Sequence, residues 1–436
     1  MMGYEIPAVW IYLLWFSIAL FLYRRWQGGR DRVARRILRE SLEAGLTEPP
    51  SLHPVIDPIV CAGCGTCVRA CPEKNVLGLV DRKAVLISPA NCIGHGACKT
   101  ACPVDAITLV FGTKTRGIEL PVVKDNFETN VPGLFIAGEL GGMGLIRNAI
   151  EQGRQAMESI MAQPRKSASA EYDVVIVGAG PAGFAASLTA HEKGIRYATI
   201  EQEDLGGTVA HFPRGKLVMT APVKLPSYGM LKIRETTKEE LLALWKEVEQ
   251  KSGVGINYGE RVEKIQRTDF GFEVQTSKAS YRTQNLLLAL GRRGTPRKLG
   301  VPGEDLPKVV YRMVDPAQYR GQHVLVVGGG DSALEAATSI AEESGATVTL
   351  SYRSAAFSRA KPKNRNKVDD AAKSGTLRVL MNSNVAKILE HEVYILQEDK
   401  EIKIPNDAII VCAGGVLPTG MLKSLGIEIV AKYGEP

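Results

Sequence analysis

YDVVIVGAGPAGFAASLTAHEKGIRYATIE, residues 172–201, is the stretch that decides the fold of this chain. It contains an apolar strand, a glycine-rich loop, a helix and a second strand that ends in an acid. Such a loop places a dinucleotide pyrophosphate at the N-terminus of the helix, and the acid accepts hydrogen bonds from ribose hydroxyls. A tight turn without a ligand is the alternative. The predicted cofactor-binding residues are Gly178, Gly180, Pro181, Ala182, Gly183, Glu201 and Gln202.

A second stretch of the same kind, HVLVVGGGDSA, begins at residue 323. The strand that follows its helix ends at a cation, Arg353, and not at an acid. A cation suits a ribose 2′-phosphate, so the sequence favours NADPH over NADH. The alternative is that these basic residues form a solvated loop that contacts no nucleotide. The predicted residues of this nucleotide site are Gly328, Gly330, Asp331, Ser332, Ala333, Arg353 and Arg359.

Seven of the eight cysteines lie between residues 61 and 102. The first four have the spacing C-x2-C-x2-C-x3-C-P, which is typical of bacterial two-cluster ferredoxins. In that pattern the fourth cysteine ligates the other cluster. Disulfides and zinc are the alternatives, and the spacing together with a cytoplasmic setting disfavours disulfides.

The second cysteine group, CIGHGACKTACP from residue 92, departs from this pattern because His95 takes the place of a cysteine. The resemblance assigns Cys61, Cys64, Cys67 and Cys102 to the first cluster, and Cys71, Cys92 and Cys98, with His95 as the candidate fourth ligand, to the second. Three alternatives stay open for the second site. They are a [4Fe–4S] cluster with a histidine ligand, a [3Fe–4S] cluster without it, and an altered or absent cluster.

The N-terminal region joins an uncharged stretch to a basic one. Residues 6–23 carry no charge, and residues 24–39 hold seven arginines and one aspartate. As a helix the uncharged stretch spans roughly 27 Å, just enough for a bilayer core. The basic flank follows it, so a single-pass anchor would leave the catalytic domains in the cytoplasm, at the cytoplasmic membrane. A signal peptide and a buried helix are the alternatives.

The arginine-rich stretch carries its own apolar stripe, formed by Val33, Ile37, Leu38 and Leu42. This stripe indicates either a helix on anionic lipid or a solvated connector. The net charge of +7 comes mostly from this stretch. A nucleic-acid partner is therefore not expected.

Residues 126–160, NFETNVPGLFIAGELGGMGLIRNAIEQGRQAMESI, resemble the strand and helix that close the FAD domain of low-molecular-weight thioredoxin reductase-like flavoproteins. In that family they follow the nicotinamide domain, whereas here they precede the first glycine loop. We therefore predict a circular permutation, with a polar linker over residues 162–171 that reaches about 33 Å if extended. A hairpin and helix without flavin contact are the alternative.

The same resemblance implies further flavin contacts. It puts Gly138 and Glu139 beside the ribityl and phosphate groups, and Gly206, Gly207 and Thr208 along the ring or ribityl. The helix that follows Glu139 is expected to begin near Met143 and to direct its N-terminus at the ring, where a positive dipole favours reduced, anionic flavin.

One departure from thioredoxin reductases bears on the reaction. Those enzymes carry a C-x-x-C just before the second glycine loop, where this chain reads VVYRMVD over residues 309–315. Other thiol–disulfide reductases have a cysteine in the first glycine loop, and Ala182 takes that position here. No dithiol relay is expected in the flavoprotein part, and no residue is assigned as a general acid or base.

The predicted fold class is α/β, with two Rossmann-like three-layer nucleotide-binding domains, a small α+β ferredoxin-like iron–sulfur domain and an N-terminal transmembrane helix. The expected boundaries are 1–50 for the anchor and basic linker, 51–112 for the cluster domain, 113–161 for the displaced FAD segment, 172–299 for the FAD domain, 300–415 for the NAD(P) domain and 416–436 for the return to the FAD domain.

These parts imply FAD, NADPH or NADH, one [4Fe–4S] cluster and a second [4Fe–4S] or [3Fe–4S] cluster. The expected function is electron transfer between these centres, to or from a one-electron carrier or a membrane redox complex. The alternatives are a reductase of a small disulfide or organic substrate, fed by the clusters, and a non-catalytic redox sensor. The resemblance also implies a homodimer.

Overall fold

The computed structural model describes residues 8–49, 52–142, 144–164, 170–219, 222–233, 235–292, 294–343, 345–358, 360–416 and 418–435. These residues form two compact units. Unit 1 holds the chain up to Thr115 together with residues 434 and 435, and unit 2 holds Arg116–Tyr433.

Unit 1 consists of a long helix followed by short strands and helical turns. Its elements are α1 (Ala8–Glu43), β1 (His53–Ile56), α2 (Thr66–Ala70), β2 (Leu77–Val80), β3 (Lys83–Leu86), α3 (Ala97–Thr100) and β4 (Ile107–Val110). Strand β1 pairs antiparallel with β4, and β2 pairs antiparallel with β3. Two antiparallel pairs with two short helices agree with the predicted α+β cluster domain.

Helix α1 does not support the predicted transmembrane anchor. Within the described ranges, no helix is both long enough and apolar enough to cross a membrane. A bilayer core takes about 20 apolar residues. Helix α1 is described from Ala8 to Glu43. Its apolar residues run up to Tyr23, and Arg24 and Arg25 follow in the same continuous helix. The large apolar side chains between residues 10 and 23 that the structure describes are 41–74% exposed.

The basic half of α1 packs on the cluster domain through a face that shares the half-buried Ile37 and Leu38 with the predicted stripe but not its two outer residues. Ala34 and Ser41 are buried, whereas Val33 and Leu42 are exposed. Gly78 of β2 leaves room for this contact, because a Cβ at that position would lie 2.9 Å from the Ala34 Cβ. Small side chains therefore form the docking face.

Unit 2 begins with the displaced segment and the FAD-binding part. Its elements up to the first domain crossover are β5 (Ile118–Pro121), β6 (Leu134–Ile136), α4 (Ile146–Met161), β7 (Tyr172–Val177), α5 (Pro181–Glu192), β8 (Tyr197–Ile200), β9 (Leu217–Met219), β10 (Val223–Leu225), β11 (Gly229–Leu231), β12 (Glu235–Thr237), α6 (Lys238–Ser252), β13 (Val262–Thr268), β14 (Gly271–Thr276), β15 (Ser280–Leu288) and β16 (Thr295–Pro296).

The remainder of unit 2 holds the second glycine loop and the return of the chain. Its elements are β17 (Val309–Val310), β18 (His323–Val327), α7 (Asp331–Glu343), β19 (Thr347–Ser351), α8 (Pro362–Lys373), β20 (Leu377–Leu380), β21 (Ser383–Ile388), β22 (Glu392–Gln397), β23 (Lys400–Pro405), β24 (Ala408–Val411), β25 (Gly415–Val416), α9 (Thr419–Ser424) and β26 (Ile429–Lys432).

Two mostly parallel sheets organise unit 2, as the α/β prediction requires. In the first sheet β8, β7, β15 and β6 run parallel, and β14 and β13 extend it antiparallel. In the second sheet the order is β17-β24-β18-β19-β20, all parallel. Both sheets are buried on their faces, which explains the continuous apolar runs of their central strands.

The displaced segment is part of the first sheet's core. Strand β6 pairs with the last residues of β15, and Phe135 and Ile136 are buried. Helix α4 packs on α5, and a Cβ at Gly153 would lie 2.0 Å from the Ala182 carbonyl oxygen. At the other end of the unit, β26 pairs antiparallel with β5, with Lys432 opposite Ile118.

The Gly153→Ala variant should be less stable than the parent chain. Alanine in a helix interior usually stabilises by about 1 kcal/mol over glycine. Here the added methyl group meets the Ala182 carbonyl, and such overpacking costs about 1–3 kcal/mol. Chemical denaturation followed by helix circular dichroism and by flavin fluorescence measures the difference.

The matched control is Gly29→Ala in helix α1, where an added Cβ meets no atom within 4 Å. This variant should be as stable as the parent or slightly more stable. If Gly153→Ala behaved like this control, the close packing of α4 on α5 would be wrong.

Candidate functional sites

The first glycine loop is built by backbone contacts that leave no room for side chains. Gly178 has φ +103°, and a Cβ there would lie 2.7 Å from the Ala289 carbonyl oxygen. A Cβ at Gly183 would lie 1.8 Å from the Gly178 carbonyl oxygen. The loop can therefore adopt this path only with glycine at both positions. The start of α5 is left open toward a cleft, as a pyrophosphate site requires.

Glu201 lies at the end of β8 with its carboxylate held by the backbone. The carboxylate is buried and accepts hydrogen bonds from Ala179 N at 2.7 Å and from Glu203 N at 3.0 Å. These two bonds orient the acid beside the glycine loop. Its remaining lone pairs can accept ribose hydroxyls.

Both glycine loops open into one cleft of about 1520 Å³. Single small-molecule pockets typically measure roughly 300–1,000 Å³, so this cleft is large enough for more than one ligand. The residues singled out from sequence that line it are Gly138, Glu139, Gly178, Gly180, Pro181, Ala182, Glu201, Gln202, Gly207, Thr208, Gly328, Gly330, Asp331, Ser332 and Arg353.

Three of the other predicted residues lie behind the wall of the cleft. Gly183 packs under Gly178, and Ala333 is buried under Gly328. Gly206 faces α6, where a Cβ would lie 2.5 Å from the Leu242 side chain. These residues shape the loops without lining the cleft. Arg359 lies outside the described residues.

The second loop is followed by a segment that Asp331 holds in place. The Asp331 carboxylate accepts hydrogen bonds from Lys361 N at 2.8 Å and from Asn364 Nδ2 at 2.7 Å. Arg353 is exposed at the rim of the cleft, as expected for a residue that meets a phosphate. The Tyr352 ring lies over Gly329 and stacks on Phe357, with 5.4 Å between ring centroids.

Several cleft residues carry no sequence signal. Arg116, His211, Tyr311, Arg312, Met313, Ser383 and Asn384 line the cleft but come from separate segments of the chain. Outside this lining, Arg292 is half-buried near Glu139. Burial lowers the pKa of Arg292, and the Glu139 carboxylate opposes that shift.

Ionic contacts connect the FAD-binding part of unit 2 to its second nucleotide-binding part. His211 Nε2 lies 2.9 Å from the Glu203 carboxylate, and Arg312 contacts both residues. Lys216 pairs with Glu335 of α7. A further pair, at 3.8 Å, joins Arg214 to Asp315. The two parts are thus held together by charge on one side of the cleft.

The four ligands assigned to the first cluster lie together in unit 1. Cys61, Cys64, Cys67 and Cys102 line one small cavity, with Cys64 exposed and Cys61 and Cys67 buried. Ala106 N donates to Cys102 Sγ at 3.3 Å, and Ala84 N donates to Cys61 Sγ at 3.5 Å. Such donors stabilise negative charge on cluster thiolates.

The three cysteines of the second site also lie near one another. Burial is the main cause that raises the pKa of Cys92 to about 11, and the charges of Cys98, Cys71 and Glu73 act in the same direction. Burial likewise raises the pKa of Cys98 and of Cys71. His95 is half-buried in the loop that precedes α3.

The cysteines of both sets would bind iron as deprotonated thiolates. Among the described residues, no group of three or more His, Cys, Asp or Glu side chains converges on one metal position. Cluster ligands surround several irons and do not meet at one point. Thiols with raised pKa values must release protons when such a cluster binds.

Comparisons with known proteins agree with these sites. Residues 175–436 match the family model described as pyridine nucleotide-disulphide oxidoreductase, and residues 53–103 match the 4Fe-4S dicluster domain. Bacilliredoxin reductase Bdr of Bacillus subtilis is 31% identical over 268 residues, which cover 60% of this chain and 82% of that protein. A ferredoxin–NADP reductase of Ignicoccus hospitalis is 31% identical over 269 residues, which cover 60% of this chain and 83% of that protein.

A solved structure is similar over the same region. Bacillithiol disulfide reductase Bdr (YpdA) from Bacillus cereus superposes with a TM-score of 0.54 at 26% identity, covering 59% of this chain and 82% of that one. The family match spans more than half of the chain and includes both glycine loops. The chain therefore belongs to the pyridine nucleotide-disulphide oxidoreductase family and is an FAD- and NAD(P)-dependent oxidoreductase with an added 4Fe-4S dicluster domain.

Proposed function

We propose that this chain passes electrons between NAD(P)H, FAD and two iron–sulfur clusters, to or from a one-electron partner. The observation that carries the proposal is the single cleft that both glycine loops line, because it allows a flavin and a nicotinamide to meet. The ferredoxin–NADP reductases among its relatives are named for an iron–sulfur partner, and this chain has a ferredoxin-like domain of its own.

The division of labour follows from the chemistry of the groups. A bound flavin would supply the chemistry that links a two-electron hydride donor to one-electron iron–sulfur clusters. The protein holds and orients the reactants. The first glycine loop and Glu201 hold the FAD pyrophosphate and ribose, and Gly138 and Glu139 line the same cleft. The N-terminus of α4, at Ile146, favours negative charge on a reduced ring placed near it.

An anaerobic titration of the intact chain with NADPH tests the electron path. We expect the flavin absorbance to bleach and the cluster EPR signals to rise together, because electrons distribute over connected centres. Methyl viologen should then be reduced, while small disulfides should not. Bleaching of the flavin with iron signals that never respond would contradict the proposal.

We propose the two cysteine sets assigned above as the ligands of two clusters, with His95 as the fourth ligand of the second. The support is the shared cavity of the first set and the mutual proximity of Cys71, Cys92 and Cys98. Mössbauer and EPR spectra of a His95→Cys variant, recorded in the same titration, decide the role of His95. Spectra unchanged from the parent chain would remove it from the ligand set.

We propose NADPH as the preferred nucleotide. Arg353 lines the cleft at the end of β19, where an acid would bind the ribose hydroxyls of NADH. The guanidinium can pair with a 2′-phosphate there, and NADH offers no such group.

Changing Arg353 to Glu should weaken the binding of NADPH far more than the binding of NADH. A charge-assisted hydrogen bond contributes about 1.5–3 kcal/mol, so the KM for NADPH should rise about 10- to 100-fold. Steady-state rates with both nucleotides and methyl viologen measure this. Arg378→Glu, an equal charge change at an exposed residue of β20 outside the cleft lining, is the control. Equal KM changes for the two nucleotides would contradict the assignment.

We propose that the FAD domain is circularly permuted. The support is the pairing of β6 with β15, the packing of α4 on α5, and the pairing of Lys432 with Ile118, which brings the end of β26 to the start of the displaced segment. The family match begins at residue 175 and leaves this segment outside. The Gly153→Ala variant also tests this proposal, since loss of flavin there would tie α4 to the flavin domain.

A second candidate function is reduction of a small disulfide at the flavin. The similarity to Bdr proteins, which are named for bacilliredoxin and bacillithiol disulfide, favours it. Ala182 in the first glycine loop disfavours it, because no thiol lies there to receive electrons from the flavin. The acceptors in the NADPH titration distinguish the two functions.

We propose that the apolar half of α1 contacts a membrane. Its described large apolar side chains, from Trp10 to Tyr23, are 41–74% exposed, and an arginine-rich stretch follows them. Exposed apolar surface of this extent marks a binding region, and arginines attract anionic lipid headgroups.

The intact chain should therefore sediment with vesicles of anionic phospholipid and resist a high-salt wash. A Trp15→Glu and Phe21→Glu double variant should stay in the supernatant, because insertion would bury two charged side chains in the acyl region of the membrane. Leu42→Glu, at an exposed residue of the same helix, should sediment like the parent. An intact chain that stays in the supernatant would refute membrane contact.

A further inference from the structure

The loop that carries Cys61 and Cys64 rests on the turn between β2 and β3. Lys83 Nζ donates to the Cys61 carbonyl oxygen at 2.7 Å, and Ala84 N donates to Cys61 Sγ at 3.5 Å. A Cβ at Gly63 would lie 1.9 Å from the Arg82 carbonyl oxygen. The turn and the cysteine loop are therefore in direct backbone contact, and Lys83 bridges them.

Helix α1 holds this turn in an unusual conformation. Asp81 and Arg82 have φ +50° and +61°, in the left-handed region that two-residue hairpins normally fill with Asn-Gly. The Asp31 carboxylate accepts a hydrogen bond from Asp81 N at 2.9 Å, and Arg35 pairs with both aspartates. The charge of Asp81 is thus partly neutralised by Arg35, whereas that of Lys83 is directed at the cysteine loop.

The two cysteine sets have different charged neighbours. Lys83 is half-buried at the first set, where water screens its charge less than it would at an exposed position. Arg69 also donates to this loop, at the Cys64 carbonyl oxygen, but its side chain is exposed and screened. Near the second set the Glu73 carboxylate raises the pKa of Cys92, and Lys99 directly follows Cys98 in α3.

We propose that Lys83 is a positioning residue that raises the reduction potential of the first cluster through its charge. This inference rests on the proposed assignment of Cys61, Cys64, Cys67 and Cys102 to that cluster. On reduction the cluster gains one electron and one negative charge, and no bond forms or breaks. A cation held beside Cys61 stabilises the reduced form more than the oxidised form, because the reduced form is the more negative.

Three substitutions separate the charge of Lys83 from its hydrogen bond. Lys83→Arg keeps both the charge and a donor, Lys83→Gln keeps a donor only, and Lys83→Met keeps only the apolar stem. The full-length chain is loaded anaerobically, and its iron and sulfide contents are measured first. Potentiometric titration monitored by EPR then gives the midpoint potential of each cluster.

Lys83→Gln and Lys83→Met should both lower the potential of the first cluster, by about 59 mV for each tenfold loss in its one-electron reduction constant. Lys83→Arg should keep the parent value, and the second cluster should not move in any variant. Lys114→Gln removes an equal charge from an exposed residue of the same unit and should leave both potentials unchanged.

Each other outcome overturns the inference. An unchanged potential in a fully loaded Lys83→Gln chain would exclude a role for the charge. A shift in Lys83→Met alone would assign the effect to the hydrogen bond. Loss of the first cluster from both neutral variants would make Lys83 a structural residue. A parent chain that binds no iron at these cysteines would instead refute the proposed function, which the iron analysis detects separately.

Discussion

The flavin-binding part of the structure depends on how closely three backbones approach at the first glycine loop. A Cβ at Gly183 would lie 1.8 Å from the Gly178 carbonyl oxygen, and one at Gly153 would lie 2.0 Å from the Ala182 carbonyl oxygen. The loop, α5 and α4 therefore pack without side chains between them. This contact sets the position of the N-terminus of α5 in the cleft, and with it the site where a pyrophosphate binds.

The displaced segment matters because it completes that contact. Strand β6 extends the first sheet beside β15, and α4 covers α5, although both elements precede the first glycine loop in the chain. Sheet pairing and helix packing depend on which surfaces meet and not on chain order. Strands β26 and β5, from opposite ends of unit 2 in sequence, are likewise paired antiparallel.

The FAD-binding part and the second nucleotide-binding part of unit 2 meet around the cleft, and ionic contacts join them there. Glu203, His211 and Lys216 of the FAD-binding part contact Arg312 and Glu335 of the second part. Ionic contacts of partly exposed side chains contribute little stability each, so their main effect here is to set how the two parts are oriented. In unit 1 charge has a different place, since Lys83 and Glu73 lie beside separate sets of buried cysteines.

The sequence by itself determined the elements whose signal is local. Spacing of glycines reflects constraints within one loop, so both glycine loops that line the cleft could be recognised from residue order. The four cysteines that the resemblance assigned to the first cluster line one cavity, and their role as ligands stays a prediction. The mixed α/β class followed from the same strand and loop patterns. The transmembrane anchor is not supported, because the described helices include none that is long and apolar enough to cross a membrane, and the apolar part of α1 continues into arginines.

Only the tertiary structure decided which distant residues meet. Gly183, Gly206 and Ala333 match the sequence motifs yet pack behind the cleft, while Arg116 and Arg312 line it without any motif. The contact of Lys83 with Cys61 spans 22 residues and depends on the β2–β3 turn that α1 holds. Such contacts arise from the packing of whole elements, and no local pattern of residue types encodes them.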